Sequence, residues 1–300
     1  MDKYIATQKL YGFKKYFPDF CNLVDKEVLP KILMLTGKKG QGKSTCIHHL
    51  LAYYFDKDNY NIDDKIIKEN NKFLYDFKSN TNPDVFYYPC DLNIKIDEIR
   101  ELRKNLQKSS LNNGNRFIIF DDIEHLNHNC INALLKTIEE PSRINHFILI
   151  NNESKELLET LKSRTIEVKI FQNRIERSDI IKRLILDFEI ESKLELDDYT
   201  LTPGKFIKFN SIINEEKIDL NANLLVNLQK LFKLHKTKKR QDYLDFSIYM
   251  VNKYYFNKSV NINLIEDCNN KRSYITKKIY DYDKLNLNQA SLLSELENYF

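Results

Sequence analysis

The clearest chemistry in the chain lies in eight residues. Gly37-Lys38-Lys39-Gly40-Gln41-Gly42-Lys43-Ser44 satisfies every fixed position of G-x-x-x-x-G-K-[ST]. Glycine permits the backbone angles that aim successive N–H groups at one anion, and a helix opening around Thr45 adds the favourable partial charge of its N-terminus. Lys43 is then placed to reach the β- and γ-phosphates of a nucleotide, and Ser44 to ligate Mg2+. Only 6 of the 300 residues are glycine, and Gly37, Gly40 and Gly42 all fall in this one turn. A chance match has a probability of roughly one in several hundred.

A second group complements the first. Phe117-Ile118-Ile119-Phe120-Asp121-Asp122-Ile123-Glu124 reads as a buried strand with carboxylates at its C-terminal end, the Walker B arrangement. A hard cation bridging phosphates needs a fixed oxygen ligand on the neighbouring strand, and Asp121 is placed to supply it opposite Ser44.

Elements of the right kind surround both groups. Lys31 to Thr36 is an apolar run of buried-strand length, and Thr45 to Phe55 has helical spacing with neither Pro nor Gly. Val85 to Tyr88 reads as another strand closed by Pro89. Ile96, Ile99, Leu102 and Leu106 share one helical face. Asn129 to Glu139 reads as a helix stopped by Pro141, and His146 to Ile150 as a further strand. Leu10, Phe13 and Phe17 suggest a helix within Ala6 to Leu23, interrupted by Pro18 and packed beside the nucleotide base. Residues 56–82 read as a polar excursion with some helix. The expected fold is an α/β P-loop core with a parallel sheet.

Composition narrows the class. A chain 42% hydrophobic, with 18 Tyr and 18 Phe, can bury a real core and is long enough for two or three domains. A formal charge of +4 is compatible with contact to a phosphate backbone but does not demand it. The 5 cysteines are dispersed without a C-x-x-C pair, so neither a disulfide framework nor a zinc site is expected, and a reducing cytoplasm is. No apolar run approaches the length of a membrane span.

The string Asn132-Ala133-Leu134-Leu135-Lys136-Thr137-Ile138-Glu139-Glu140-Pro141 resembles the "NALLKTLEEP" signature of clamp-loader subunits in the AAA+ superfamily. The family's motifs follow in its order from about residue 5 to residue 210. By that resemblance Asn151 or Asn152 is sensor 1, orienting the attacking water. Arg164, in Leu161-Lys162-Ser163-Arg164-Thr165, stands at the Arg of the Ser-Arg-Cys motif, whose guanidinium acts on ATP in the neighbouring subunit. Thr165 replaces the usual Cys. Leu201-Thr202-Pro203-Gly204-Lys205-Phe206 resembles the lid's sensor 2 segment, with Lys205 where Arg is common and its bidentate geometry lost.

The same resemblance bears on subunit type. Motor subunits of the gamma/tau type carry a four-cysteine zinc module between the two phosphate motifs, and here that interval holds only Cys46 and Cys90. They also place a catalytic Glu directly after the magnesium Asp, where this chain has Asp122. The shorter side chain draws its carboxylate back by about an ångström, enough to cost on the order of 100-fold in a positioned reaction. Glu124 lies two residues farther along and is not expected to substitute. Asn82-Pro83-Asp84 resembles the "HPD" of delta-prime subunits.

The implied chain is a delta-prime-like accessory subunit that binds ATP and Mg2+. Its expected partners are gamma/tau-like and delta-like subunits, a sliding clamp, and primer-template DNA through the assembly. Its implied domains are 1–172 (AAA+ core), 173–212 (helical lid) and 213–300 (helical collar). The first lid helix is expected over Arg174 to Phe188, with Ser178-Asp179 as its start signal, and Lys236 to Arg240 is expected to be a solvated loop between helices. The rival readings are a gamma/tau-like motor ATPase and a P-loop phosphotransferase acting on a small molecule.

Overall fold

The computed structural model describes residues 7–78, 82–90, 94–106, 114–139, 142–259, 265–285 and 287–299. Glu140 and Pro141, read above as the helix stop, lie outside the described residues. Tertiary contacts divide the chain into two compact units: Met1–Phe188 with Leu196–Lys205, and Glu189–Glu195 with Phe206–Phe300.

In chain order the first unit contains α1 (Phe17–Asp25), β1 (Ile32–Thr36), α2 (Lys43–Phe55), β2 (Tyr60–Asn61), β3 (Ile66–Ile67) and α3 (Lys72–Lys78). It continues with β4 (Val85–Pro89), α4 (Ile96–Leu106), β5 (Arg116–Asp121), α5 (His128–Ile138), β6 (Asn145–Asn151), α6 (Glu159–Lys162), β7 (Ile166–Lys169) and α7 (Arg174–Asp187). Among the described residues five strands form one parallel sheet in the order β4-β5-β6-β1-β7. The expected parallel α/β P-loop core is borne out. Parallel strands covered on both faces read as continuous apolar runs, which is why β1, β5 and β6 were visible in sequence.

Alternation along these strands builds two cores. Leu33, Leu35, Phe117, Ile119, Ile148 and Ile150 face α1 and α2. Met34, Ile118, Phe120, Phe147 and Leu149 face α4 and α5. The phosphate loop therefore emerges where β1 ends, between the ends of β6 and β7.

Two local expectations are corrected. Residues 7–16 are not helical: Gly12 (φ 76°) and Phe13 (φ 55°) take left-handed angles that no α-helix contains. Pro18 does not interrupt a helix but lies in the first turn of α1, where its missing N–H costs nothing. The helix α7 covers the expected stretch from Arg174, but its start is set by Asn173 and Glu176, which close a capping box, and not by Ser178-Asp179. The polar stretch after α2 also contributes more to the core than its composition suggests, burying Tyr60, Ile67, Phe73 and Leu74.

The second unit is helical. From Phe206 onward α8 (Pro203–Glu215) belongs to it, followed by α9 (Leu224–Lys238), α10 (Asp242–Lys258), α11 (Ile265–Leu285) and α12 (Gln289–Glu297). Its core joins Leu228, Phe232, Val251, Ile275, Ile279 and Leu296. In the basic run, Lys238 pairs with Glu216 at 2.5 Å and Arg240 lies 3.6 Å from Asp242.

Two adjacent histidines in α2 make the first unit acid-sensitive. Burial depresses both His48 and His49 to about 4; neighbouring His49 adds to the effect on His48. At His49 a hydrogen bond to the Thr7 carbonyl, 2.9 Å away, opposes it. The unfolded chain binds these protons below about pH 6.5 and the folded chain does not until about pH 4, so stability is present above 6.5 and lost as pH falls toward 4. Each histidine contributes a slope of about 1.4 kcal/mol per pH unit in that window. Denaturant melts of His49→Gln should show about half the pair's contribution to the slope; an unchanged slope would refute the assignment.

Candidate nucleotide site

Gly40 and Gly42 both adopt φ 88°, the left-handed region that a side chain resists. Gly42 is the N-cap of α2, so the helix begins at Lys43 with its free N–H groups facing the turn. A Cβ on Gly42 would meet only the Phe13 ring, at 3.3 Å. Lys43 is buried. Its Nζ donates to the carbonyls of Gly37 at 2.6 Å and Lys38 at 3.0 Å. Burial lowers its pKa to about 8, and the acidic groups, Asp121 first among them, push the other way. A buried ammonium costs free energy unless it is hydrogen-bonded and paired, and here the two carbonyls and the nearby carboxylates supply that compensation.

The carboxylates sit across from it. Burial raises Asp121 above the usual carboxyl range, the Asp122 charge adds to this, and hydrogen bonds from Tyr87 and Ser44 oppose it. Ser44 and Asp121 thus face each other with hard oxygen donors, the chemistry Mg2+ selects. Thr45 follows, half-buried, in the first turn of α2. Gly37 N–H donates to the Asn151 carbonyl at 3.1 Å, locking the loop to the end of β6. These features fit a nucleotide triphosphate and its cation.

Asp122 has left-handed angles (φ 58°, ψ 44°), which Asp tolerates better than most residues. Lys39 pairs with its Oδ2 at 3.1 Å, and the Asn152 amide donates to its Oδ1. The side-chain oxygen of Asn151 instead accepts the Glu153 N–H at 3.0 Å. Of the two sensor 1 candidates, the structure brings Asn152 to the carboxylates and turns Asn151 away. Glu124 is buried and occupied: it accepts from the backbone of Asn152 at 3.1 Å and the hydroxyl of Ser154 at 2.8 Å.

The segment from Leu201 to Phe206, expected to be sensor 2, meets the phosphate loop through Thr202 and Gly204. Gly204 N–H donates to the Gly40 carbonyl at 2.8 Å, and the Thr202 hydroxyl to the Lys39 carbonyl at 2.7 Å. The backbone nitrogen of Lys205 lies 3.1 Å from where a Gly40 Cβ would stand. Arg177 positions the preceding loop: it is buried and donates to the carbonyls of Leu196, Asp198 and Leu201. Neither Arg177 nor Lys39 was singled out in sequence, since nothing local marks their partners. A Cβ on Gly204 would stand 2.9 Å from both Cα and O of Gly40. Gly204→Ala must therefore push two backbones apart, at about 1–3 kcal/mol. The expected result is a thermal midpoint lowered by several degrees, and an unchanged midpoint would refute the close approach.

Beside the loop lies a small open cleft. Phe13, Tyr16, Ile170, Phe171, Glu176 and Arg183 are among its lining residues, next to the segment expected beside the base. Arg164 lies away from all of this, exposed just after α6. Its guanidinium donates to Glu139 at 2.9 Å and to the Thr160 carbonyl at 2.8 Å.

A strand ending in a glycine-rich phosphate loop, with carboxylates at the end of β5 on the far side of β6, defines a P-loop core. Residues 13–174 match the family model described as "DNA polymerase III, delta subunit", and the chain belongs to that family. It is 24% identical over 212 residues to the DNA polymerase III subunit delta' of Bacillus subtilis, covering 65% of this chain and 63% of that one. To the Pseudomonas aeruginosa subunit delta' it is 32% identical over 90 residues, covering 29% and 27%. The match thus spans less than two thirds of either relative. Among solved structures, the DNA polymerase III gamma subunit-related protein of Thermotoga maritima aligns with TM-score 0.48 at 18% identity, covering 95% of this chain and 99% of that one.

Proposed function

We propose that this chain is an accessory, delta-prime-like subunit of a DNA polymerase III clamp loader. It binds ATP with Mg2+ and presents Arg164 to the ATP of a neighbouring subunit during loading of a sliding clamp on primer-template DNA. Gly37, Gly40, Gly42, Lys43, Ser44 and Thr45 cradle the phosphates, and Lys205 stands at the γ-phosphate end. Ser44 and Asp121 hold the cation, which neutralises charge on the phosphate oxygens. In this reading residues 1–172 form the nucleotide core, 173–212 the lid and 213–300 the collar.

The observation that carries the reading is the contrast between two charged groups. Asp122, at the catalytic-base position, is held from both sides by Lys39 and Asn152, whereas Arg164 stands exposed with a carboxylate as its side-chain ion partner. The chain is equipped to retain its own nucleotide and to act on another's. The test is reconstitution: adding the chain to gamma/tau-like and delta-like subunits should raise DNA- and clamp-stimulated ATPase, while the chain alone turns over slowly. Rapid turnover by the isolated chain would favour the motor reading, and no effect on the assembly would defeat the accessory one.

A further inference from the structure

We propose that Tyr87 is a positioning residue for the cation site. Its hydroxyl holds the Asp121 carboxylate in the orientation that serves a divalent metal on bound nucleotide. The inference rests on reading Asp121 as a magnesium ligand, and nothing in the sequence singled Tyr87 out.

Strand register explains how the tyrosine arrives. In the parallel pairing of β4 with β5, Tyr87 stands opposite Ile119 and Pro89 opposite Asp121. Residues two apart share a face, so Tyr87 and Asp121 lie on the same side of the sheet. That is the side covered by α2, since Tyr87 and Ile119 both pack in its core. Across the strands the Tyr87 hydroxyl donates to Asp121 Oδ2 at 2.5 Å. The ring is steadied edge-on by His48, with centroids 6.1 Å apart, and by Phe77 at 6.0 Å. His48 is one helical turn beyond Ser44 and almost fully buried, so the same helix that presents the hydroxyl ligand also braces the tyrosine.

The other carboxylate oxygen is also directed. Asp121 Oδ1 accepts the backbone N–H of Asp122 at 3.1 Å. With Tyr87 on one oxygen and the Asp122 N–H on the other the carboxylate plane is set, and the Ser44 hydroxyl, which also hydrogen-bonds Asp121, marks the side on which the cation would sit. Donors of this kind orient metal ligands, and their removal typically costs 10–100-fold in metal affinity. Phenylalanine at this position keeps the ring between His48 and Phe77 and deletes only the hydroxyl.

The experiment uses the full chain and a fluorescent, non-hydrolysable ATP analogue, with the dissociation constant measured in Mg2+ and in EDTA. The readout is the dissociation constant in EDTA divided by that in Mg2+, which a purely structural role would not move. Tyr87→Phe is expected to lower that ratio about 10-fold, with the EDTA value and the melting temperature little changed. Asp121→Asn supplies the floor for the ratio. A Tyr87→Phe ratio equal to wild type overturns the proposal. So does a higher ratio, which would mean the hydroxyl competes with the cation. A wild-type ratio near one would instead sink the magnesium reading of Asp121 itself, so the two failures are distinguishable.

Discussion

Replacing Arg164 with alanine is expected to reduce ATP turnover at the neighbouring site it serves by on the order of 1000-fold in the reconstituted assembly. A guanidinium supplied in trans neutralises charge developing on the transferred phosphoryl group, and no other side chain offers its planar, permanently charged fork. The local structure makes that delivery inexpensive. Arg164 and Glu139 are 38% and 48% exposed in their side chains, and ion pairs this wet are worth about 0–1 kcal/mol. A desolvated phosphate readily outcompetes such a pair. Glu139→Gln should therefore leave assembly turnover unchanged or slightly raised, while Arg164→Ala leaves the chain's own nucleotide affinity and melting temperature intact. Steady-state ATPase with clamp and primed DNA measures this. If Arg164→Ala retains wild-type stimulation, the finger assignment is wrong.

Lys43→Ala should weaken nucleotide binding by the chain itself about 100-fold. Charge-assisted hydrogen bonds of this kind contribute about 1.5–3 kcal/mol, and each 1.4 kcal/mol is tenfold in affinity. Because Lys43 hydrogen-bonds to the carbonyls of Gly37 and Lys38, its ammonium must exchange those partners for phosphate oxygens. Folding is affected much less, since the substitution also relieves the cost of burying a charge. Equilibrium binding of labelled ATP and a thermal melt on the same sample separate the two effects. Affinity within threefold of wild type would mean that residues 37–44 do not grip a triphosphate.

These two substitutions bear on different sites and should not mimic each other. On the proposed reading, Lys43→Ala removes the chain's own nucleotide, and Arg164→Ala removes the group it would give to a neighbour. Their effects on assembly turnover are expected to be separable: restoring nucleotide saturation cannot rescue a missing guanidinium.

Much of this molecule is legible in sequence because its chemistry is local. A phosphate loop spans eight consecutive residues between a strand and a helix. The glycines, the lysine and the apolar run before them declare it without knowledge of any distant partner. Buried parallel strands announce themselves as apolar runs, and the carboxylates of Asp121 and Asp122 sit at the end of one. The order of later motifs carried the family, and the family match over residues 13–174 agrees.

What sequence left open was settled by groups that meet across the fold. Neighbouring residues at a strand end point in opposite directions, so the pair Asn151-Asn152 could not say which amide faces Asp122; the exit of β6 beside β5 decides for Asn152. Phe13 has helical spacing from Phe17, yet left-handed backbone angles carry it into the core by another route. Lys39 reaches Asp122 over 83 positions, Tyr87 reaches Asp121 over 34, and Gly204 touches Gly40 only because Arg177 gathers the loop before it. The sequence by itself thus determined where the phosphate-loop motif lies and where four of the five strands of the parallel sheet run, because those signals reside in consecutive side chains and their period; the exposed β7 carries no such apolar run. Tertiary structure alone decided which donors restrain each carboxylate, because a hydrogen bond depends on distance and direction between strands and loops, neither of which is written in the spacing of residues along the chain.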